Sequence, residues 1–275
     1  MIDEKLVRSK DELLGEILRS MDKTLIAFSG GVDSAFLAVR AYQELGDKAL
    51  CVIAASETFP TREFNAGVEL AKEWNLPLIQ TKISEFANEN FVANNPDRCY
   101  HCKTGLYVHL IPMALEKGYD YILNGANMDD MGDYRPGMKA AKEKGVRSPL
   151  QEAGLFKEEI RFLSKEIGLR TWNKPSFACL SSRIPYGTKI TQDKIDKLDL
   201  AEEYLNTLGL YQVRVRYHEK IARIEVMPEE FPKILKHHEH IDAKLKEIGF
   251  SYVTLDLQGY RTGSMNEVLT SKKQA

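Results

Sequence analysis

The sequence predicts an α/β fold, a doubly wound parallel sheet followed by a smaller α+β domain, on three observations. Four stretches that read as strands, at residues 25–28, 49–55, 78–81 and 119–123, alternate with stretches of helical periodicity, the signature of βαβ units. The first run meets two glycines and passes straight into a helix. Beyond Pro185-Tyr186-Gly187 the character changes to a hairpin pattern and a long helical stretch, which places the domains at 1–185 and 186–275.

In chain order, Leu6, Leu13, Leu14, Ile17 and Leu18 recur at helical spacing, so an amphipathic helix over residues 3–21 precedes the first strand. Ala49 to Ala55 reads as a strand buried on both faces, as parallel strands are, with Cys51 as inert core inside it. Helices are expected over 61–74, 83–95 (mostly polar, with a broken end), 103–115 and 156–167. Residues 131–154 are rich in glycine, proline and charge and read as a long functional loop. In the second domain the expected elements are a helix over 191–208, a hairpin over 211–227, a helix over 229–248 and a last strand over 252–257, with a polar tail from Thr270 to Ala275.

At 275 residues the chain can bury a substantial core, and 43% hydrophobic with 28% charged residues is a globular composition. The 38 basic and 40 acidic residues leave a net charge of -2, which speaks against nucleic acid as a partner of the whole surface. No apolar run approaches the ~20 residues of a membrane span. Met1-Ile2-Asp3-Glu4-Lys5 does not read as a signal peptide, so the expected location is the cytoplasm.

The glycine turn carries the strongest chemistry. In Leu25-Ile26-Ala27-Phe28-Ser29-Gly30-Gly31-Val32-Asp33-Ser34 a strand, a tight turn and a helix gather backbone amides at a helix N-terminus. Gly30 and Gly31 admit a phosphate without a Cβ in the way, and Ser29 and Ser34 add hydroxyls. The string SGGVDS after LIAF resembles the PP-loop of ATP pyrophosphatases, which split ATP between the α and β phosphates. It lacks the GxxxxGK(S/T) lysine of kinase-type P-loops. Ser56, after the second strand, and Gly125 and Asn127, after the fourth, stand at strand C-termini where a nucleotide pocket belongs.

Cys99 and Cys102 form a C-x-x-C pair at the start of a helix, where the helix dipole and Arg98 or Lys103 favour thiolate. Such a pair suits half a structural zinc site, a redox dithiol or part of an iron–sulfur site. One further cysteine lies outside a buried strand, Cys179, and three thiolates leave one coordination position open. In residues 213–226 apolar and basic residues alternate. A hairpin turning near His218-Glu219 puts Val213, Val215, Ala222, Ile224 and Val226 on one face and Arg214, Arg216, Arg223 and Glu225 on the other. That polar face is either solvated, with cross-strand ion pairs, or an anion grip.

The SGGVDS loop, PDRCYHCK at 96–103, DYRPG at 133–137, the cysteine loop through Cys179 and Ser181-Ser182-Arg183, RVRYH at 214–218 and TLDLQGYRTG at 254–263 run along nearly the whole chain. Together they resemble the LarE family, ATP-dependent sulfur transferases of nickel-pincer nucleotide cofactor biosynthesis. The resemblance implies a PP-loop domain and a small α+β domain. It also implies conversion of the carboxylates of pyridinium-3,5-biscarboxylate mononucleotide to thiocarboxylates. One branch of that family sacrifices a cysteine sulfur and is left with dehydroalanine. The other carries three cysteines that look like ligands of a [4Fe-4S] cluster. Against the Ser181-Ser182-Arg183 landmark the loop cysteine here falls one residue late, with Ala178 at the sacrificial position, so the resemblance implies the cluster branch with Cys99, Cys102 and Cys179 as ligands.

The expectations are then specific. ATP with Mg2+ sits on Ser29, Gly30, Gly31, Val32, Asp33, Ser34, Ser56, Gly125 and Asn127, with Asp33 positioning metal or pyrophosphate. The mononucleotide phosphate meets Arg183, Arg214, Arg216 and Arg261, since the arginine fork suits a phosphate monoester. Expected partners are that mononucleotide, ATP, a sulfur donor and further copies of the chain in a homo-oligomer. A tRNA-thiolating PP-loop enzyme and a non-catalytic nucleotide sensor with a zinc clip remain the rival readings.

Overall fold

The computed structural model describes residues 2–132 and 136–266. The chain forms two units, Met1–Asn88 with Asp97–Lys174, and Glu89–Pro96 with Pro175–Ala275. In chain order the elements of the first unit, together with one short helix of the second, are α1 Glu4–Arg19, β1 Thr24–Ala27, α2 Val32–Leu45, β2 Ala49–Ala55, α3 Thr61–Glu73, β3 Leu78–Lys82, α4 Glu89–Val92, α5 Arg98–Glu116, β4 Tyr121–Leu123, α6 Pro136–Glu143, α7 Pro149–Glu152 and α8 Lys157–Glu166. Of these, α4 belongs to the second unit.

The four strands of the first unit form one sheet, all parallel, in the order β3-β2-β1-β4. Their alternation sorts the core to two faces. Ile26, Cys51, Ile53 and Leu123 join a cluster with Leu14 and Leu18 of α1, Phe36 and Leu37 of α2 and Ile160 of α8. Leu25, Leu50, Val52 and Ile122 join the other, with Tyr107 and Leu110 of α5 and Ala141 of α6. Period-two side chains in a strand with helices above and below account for the continuous apolar runs of the sequence. At the head of α1, Asp3 Oδ1 accepts from Leu6 N at 3.1 Å, an N-cap of ordinary kind.

The second unit adds α9 Gln192–Thr207, β5 Arg214–His218, β6 Ile221–Glu225, α10 Phe231–Lys236, α11 His238–Ile248 and β7 Tyr252–Leu255. Its sheet runs β5-β6-β7, with β5 antiparallel and β7 parallel to β6. Arg214 pairs with Glu225 and Arg216 with Arg223, so the hairpin has the phase read from its alternation. Much of its polar face is buried too, since Arg214, Arg216 and Glu225 are enclosed while Arg223 is part-exposed.

Several expectations change. The stretch expected as a helix over 83–95 forms only the four-residue α4 and passes into the second unit. Asn94, at φ 57°, ends it, and its amide donates to the carbonyls of Ile184, Pro185 and Thr188 at 3.2, 2.8 and 3.0 Å. The units divide after Lys174 rather than at Pro185, because residues 175–185 are bonded to α9 and β5 through Arg183, Glu202 and Arg214. The expected loop at 131–154 contains α6 and α7, while Asp133, Tyr134 and Arg135 lie outside the described residues, as does the tail from Thr270. The expected helix over 229–248 is interrupted at His237.

Candidate active site

The chain leaves β1 for β2 on one side, and β4 lies on the other, so the strand order reverses at β1. Loops after strands that flank such a reversal open a crevice at their carboxyl ends. The glycine turn follows β1, and Asn124-Gly125-Ala126-Asn127 follows β4.

Gly30 adopts φ 68°, and a Cβ built on it would stand 2.7 Å from Gly67 Cα, so the turn requires glycine for both its conformation and its approach to α3. Gly31 is the N-cap of α2, and no side chain caps that helix. Its first-turn amides are therefore not taken by an N-cap side chain. Ser29 Oγ and Ser34 Oγ lie 3.0 Å apart, and Ser29 N donates to Ser34 Oγ at 3.2 Å, which sets both hydroxyls at the turn. A Cβ on Gly125 would meet Ser34 N at 2.8 Å and the carbonyl carbon of Asp33 at 3.1 Å, so the β4 loop lies directly on the first turn of α2. Asn127 Nδ2 donates to Asp33 Oδ1 at 3.2 Å, and the Lys157 ammonium pairs with Asp33 Oδ2. Ser29, Gly30, Gly31, Val32, Asp33, Ser34, Gly125 and Asn127 are thus one constellation.

Ser56 does not join that constellation. Its hydroxyl donates to Glu85 Oε2 at 3.0 Å, as does Thr58 Oγ1 at 2.5 Å, while Cys102 Sγ donates to Glu85 Oε1 at 2.9 Å. Glu85 is buried, and its backbone N–H is in turn held by Glu57 Oε2 at 2.9 Å. Cys99 and Cys102 sit in the first turn of α5, three residues apart and half-buried. Cys51 is wholly buried in β2, and burial pushes its thiol up to about 12.

In the second unit Cys179 is half-buried, with its sulfur 2.9 Å from Ser181 Oγ. Arg183, expected at the substrate, is fully buried, and its donors are taken within the fold. Its Nε and NH2 reach the two oxygens of Glu202 at 2.8 and 2.9 Å, and NH1 reaches the carbonyls of Ala178 and Cys179 and Ser182 Oγ. Burial alone would raise Glu202, but the Arg183 guanidinium outweighs it and holds the carboxyl below its usual range.

Arg216 bonds Ser182 O at 3.0 Å, Glu225 Oε2 at 2.7 Å and Ser264 Oγ at 2.9 Å, while its Nε is buried with no partner among the described residues. Arg214 is bonded to the carbonyls of Val213 and Ser176 and stacks 5.5 Å from the Tyr260 ring centre, with no carboxylate paired to it among the described residues. Burial, and then the neighbouring Arg183 charge, push Arg214 down to about 10. Three enclosed guanidiniums thus stand beside two enclosed carboxylates, Glu202 and Glu225. Arg261 is half-buried, 3.8 Å from Asp256.

Among the described residues no group of three His, Cys, Asp or Glu side chains is gathered to hold a metal. What the chain offers a thiophilic group is donor chemistry, two thiols at i, i+3 on α5 and a third on the Cys179 loop. Sequence reading missed Lys157, Lys174, Glu85 and Glu202. Each acts through a partner far along the chain, so no local pattern marks it.

No protein-family model matches the chain. It is similar to an uncharacterised protein of Synechocystis sp., 43% identical over 272 residues that cover 96% of this chain and 100% of that one. It is similar to the pyridinium-3,5-bisthiocarboxylic acid mononucleotide synthase of Lactiplantibacillus plantarum, 40% identical over 268 residues and 97% of each chain. Over 69% of its length it is also similar to 42% of the glutamine-hydrolysing GMP synthase of Brucella melitensis, at 28% identity. No helix among the described residues is long and apolar enough to cross a membrane.

Proposed function

The chain belongs to the family of the pyridinium-3,5-bisthiocarboxylic acid mononucleotide synthase, and from that membership we propose that it makes such a mononucleotide by ATP-dependent sulfur transfer. The observation that carries the ATP half is the uncapped start of α2 between Ser29, Asp33 and Asn127. The similarity to GMP synthase also supports an ATP-using enzyme.

A carboxylate resists nucleophiles because its charge repels them and oxide is a poor leaving group. In the proposed reaction a substrate carboxylate oxygen attacks the α-phosphorus of ATP, the bond to the β-phosphate oxygen breaks, and pyrophosphate leaves. The α2 amides and the Ser29 and Ser34 hydroxyls hold the departing phosphates, and Asp33 would hold an Mg2+ ion, which would offset their charge. Hydrosulfide then attacks the acyl carbon, AMP departs with the carboxylate oxygen, and a thiocarboxylate remains. Arg214 and Arg216 hold the substrate phosphate, which the enclosed surplus of guanidinium supports.

For the sulfur source we propose the cluster branch, with Cys99, Cys102 and Cys179 as ligands of a [4Fe-4S] cluster that would supply a replaceable sulfide at its unligated iron. Its support is the C-x-x-C pair at the head of α5 and Ala178 at the sacrificial position. Intact-mass spectrometry after turnover with ATP and the biscarboxylate mononucleotide tests it. The expected result is unchanged mass with more than one thiolated product per chain. A full shift of about 34 Da to the lighter, dehydroalanine-containing chain overturns it, because a cysteine nucleophile would then have lost hydrogen sulfide.

A further inference from the structure

Glu85 is a buried carboxylate with no basic side chain paired to it among the described residues, and its oxygens are taken by uncharged donors. One of those donors is a thiol of the C-x-x-C pair. Resting on the cluster reading above, we propose that Glu85 is a positioning residue that guards this pair: by holding the Cys102 thiol it opposes a Cys99–Cys102 disulfide and leaves both sulfurs open to a thiophilic group.

All the residues involved belong to the first unit. Ser56 and Thr58, in the loop after β2, donate to Glu85 Oε2 at 3.0 and 2.5 Å, and Cys102 Sγ, in the first turn of α5, donates to Oε1 at 2.9 Å. The start of the side chain is fixed as well. Glu57 Oε2 accepts from Glu85 N at 2.9 Å, and Glu57 Oε1 accepts from the neighbouring Ser84 hydroxyl at 2.7 Å. Glu85 is therefore the fixed partner and Cys102 the held one.

Two thiols in C-x-x-C spacing at the head of a helix are also the arrangement of disulfide oxidoreductases. Closure by a glutathione-type disulfide joins the two sulfurs, oxidises both thiols and releases two small thiols, which carry off the hydrogens. The S–H···O bond then has no hydrogen left, and the buried carboxylate loses one of its three side-chain donors. Hydrogen bonds to charged groups are the stronger kind, and leaving a buried acceptor without its donor adds a desolvation cost. Because the poise of a dithiol against the glutathione pool is close to balance, one such bond shifts it markedly. Metal binding removes the same hydrogen. Thiolate–metal bonds, however, outweigh a single hydrogen bond by far, so Glu85 resists closure while yielding to the metal.

Full-length wild type, Glu85→Gln and Glu85→Ala, freed of metal, are equilibrated in glutathione buffers of graded disulfide content. Free thiols are then trapped, and the Cys99–Cys102 disulfide is counted by mass spectrometry. Glu85→Ala should form it roughly 10- to 100-fold more readily than wild type. Glu85→Gln keeps an acceptor for the thiol and offers its amide hydrogens to Ser56 and Thr58, so it should lie between the two. A purely structural residue would move the melting temperature of these proteins and leave the disulfide equilibrium where it was. Equal disulfide content in the three proteins overturns the proposal. So does a glutamine variant oxidised no more readily than wild type, a comparison that stands even where the alanine variant folds poorly. Reconstitution with ferrous iron and sulfide in the same buffers should fail first in Glu85→Ala. Wild type that takes up no iron and sulfide even when fully reduced overturns the cluster reading itself, a distinct result, since the disulfide is counted on metal-free protein.

Discussion

Arg183 and Glu202 meet in a two-pronged ion pair with neither side chain exposed, Nε to Oε1 at 2.8 Å and NH2 to Oε2 at 2.9 Å. Glu202 also accepts from Val215 N at 2.9 Å, and Arg183 holds the Ala178 and Cys179 carbonyls, so one pair ties the cysteine loop to α9 and β5. Removing one partner strands a charge away from water. Glu202→Ala is expected to destabilise the protein by about 3–5 kcal/mol, read by urea titration. The double variant Arg183→Met/Glu202→Leu should recover most of that loss, though not the part due to the orphaned Val215 N–H. A single variant within about 0.5 kcal/mol of wild type would show the pair to be energetically idle.

The same pair makes stability acid-sensitive. Glu202 is held below its ordinary value of 4.5 in the fold, so its contribution is complete above pH 4.5 and fades as the pH falls through the lowered folded value. Thermal melts between pH 3 and pH 7 should show wild type losing stability below 4.5, with that component missing from Glu202→Gln. Parallel curves for the two proteins would refute the assignment.

At Gly125 the first turn of α2 leaves no room for a methyl group, with Ser34 N at 2.8 Å. Gly125→Ala should fold, yet push that turn out of line and weaken ATP binding at least tenfold by calorimetry. Wild-type affinity in this variant would mean that the β4 loop does not set the cradle.

Arg214 differs from Arg183 because no carboxylate among the described residues forms an ion pair with it, and the nearby Glu202 only partly offsets its burial. Arg214→Met should therefore leave the melting temperature unchanged or raised while increasing the KM for the mononucleotide by the equivalent of about 1.5–3 kcal/mol, with ATP affinity untouched. A falling melting temperature with unchanged KM would make it a structural residue.

Alkylation separates the thiols. Cys51 is wholly buried with its thiol pushed up to about 12, whereas Cys99, Cys102 and Cys179 are half-buried. Brief iodoacetamide treatment of the metal-free native protein at pH 8, followed by peptide mapping, should modify those three and spare Cys51 until the chain is unfolded. Early labelling of Cys51 would contradict the packing of β2.

The parallel sheet was legible in the sequence because β1 and β2 are continuous apolar runs and the turn after β1 needs glycine where its approach to α3 is closest. Over 83–95, where the sequence predicts a mostly polar helix with a broken end, only Glu89–Val92 is helical, because Asn94's left-handed backbone and long-range amide bonds take the segment elsewhere. Nothing in the sequence around Arg183, beside a cysteine loop, marks its pairing with Glu202 from α9. Lys157 and Glu85 carry no local signature, since the residues that define them lie in other helices and strands.

Residues 89–96 belong to the unit otherwise built from 175–275, so the polypeptide crosses between the two units three times. A chain that crosses once can be cut into two autonomous halves; this one cannot. A fragment starting at Pro175 would lose the bonds from Ile190 N to Val92 O and from Gly187 N to Asn94 O, along with the three carbonyls gathered by the Asn94 amide. The smaller unit is therefore no detachable module. It cannot be grafted onto another protein as one contiguous piece, and any change in it by recombination has to carry a segment encoded in the middle of its neighbour.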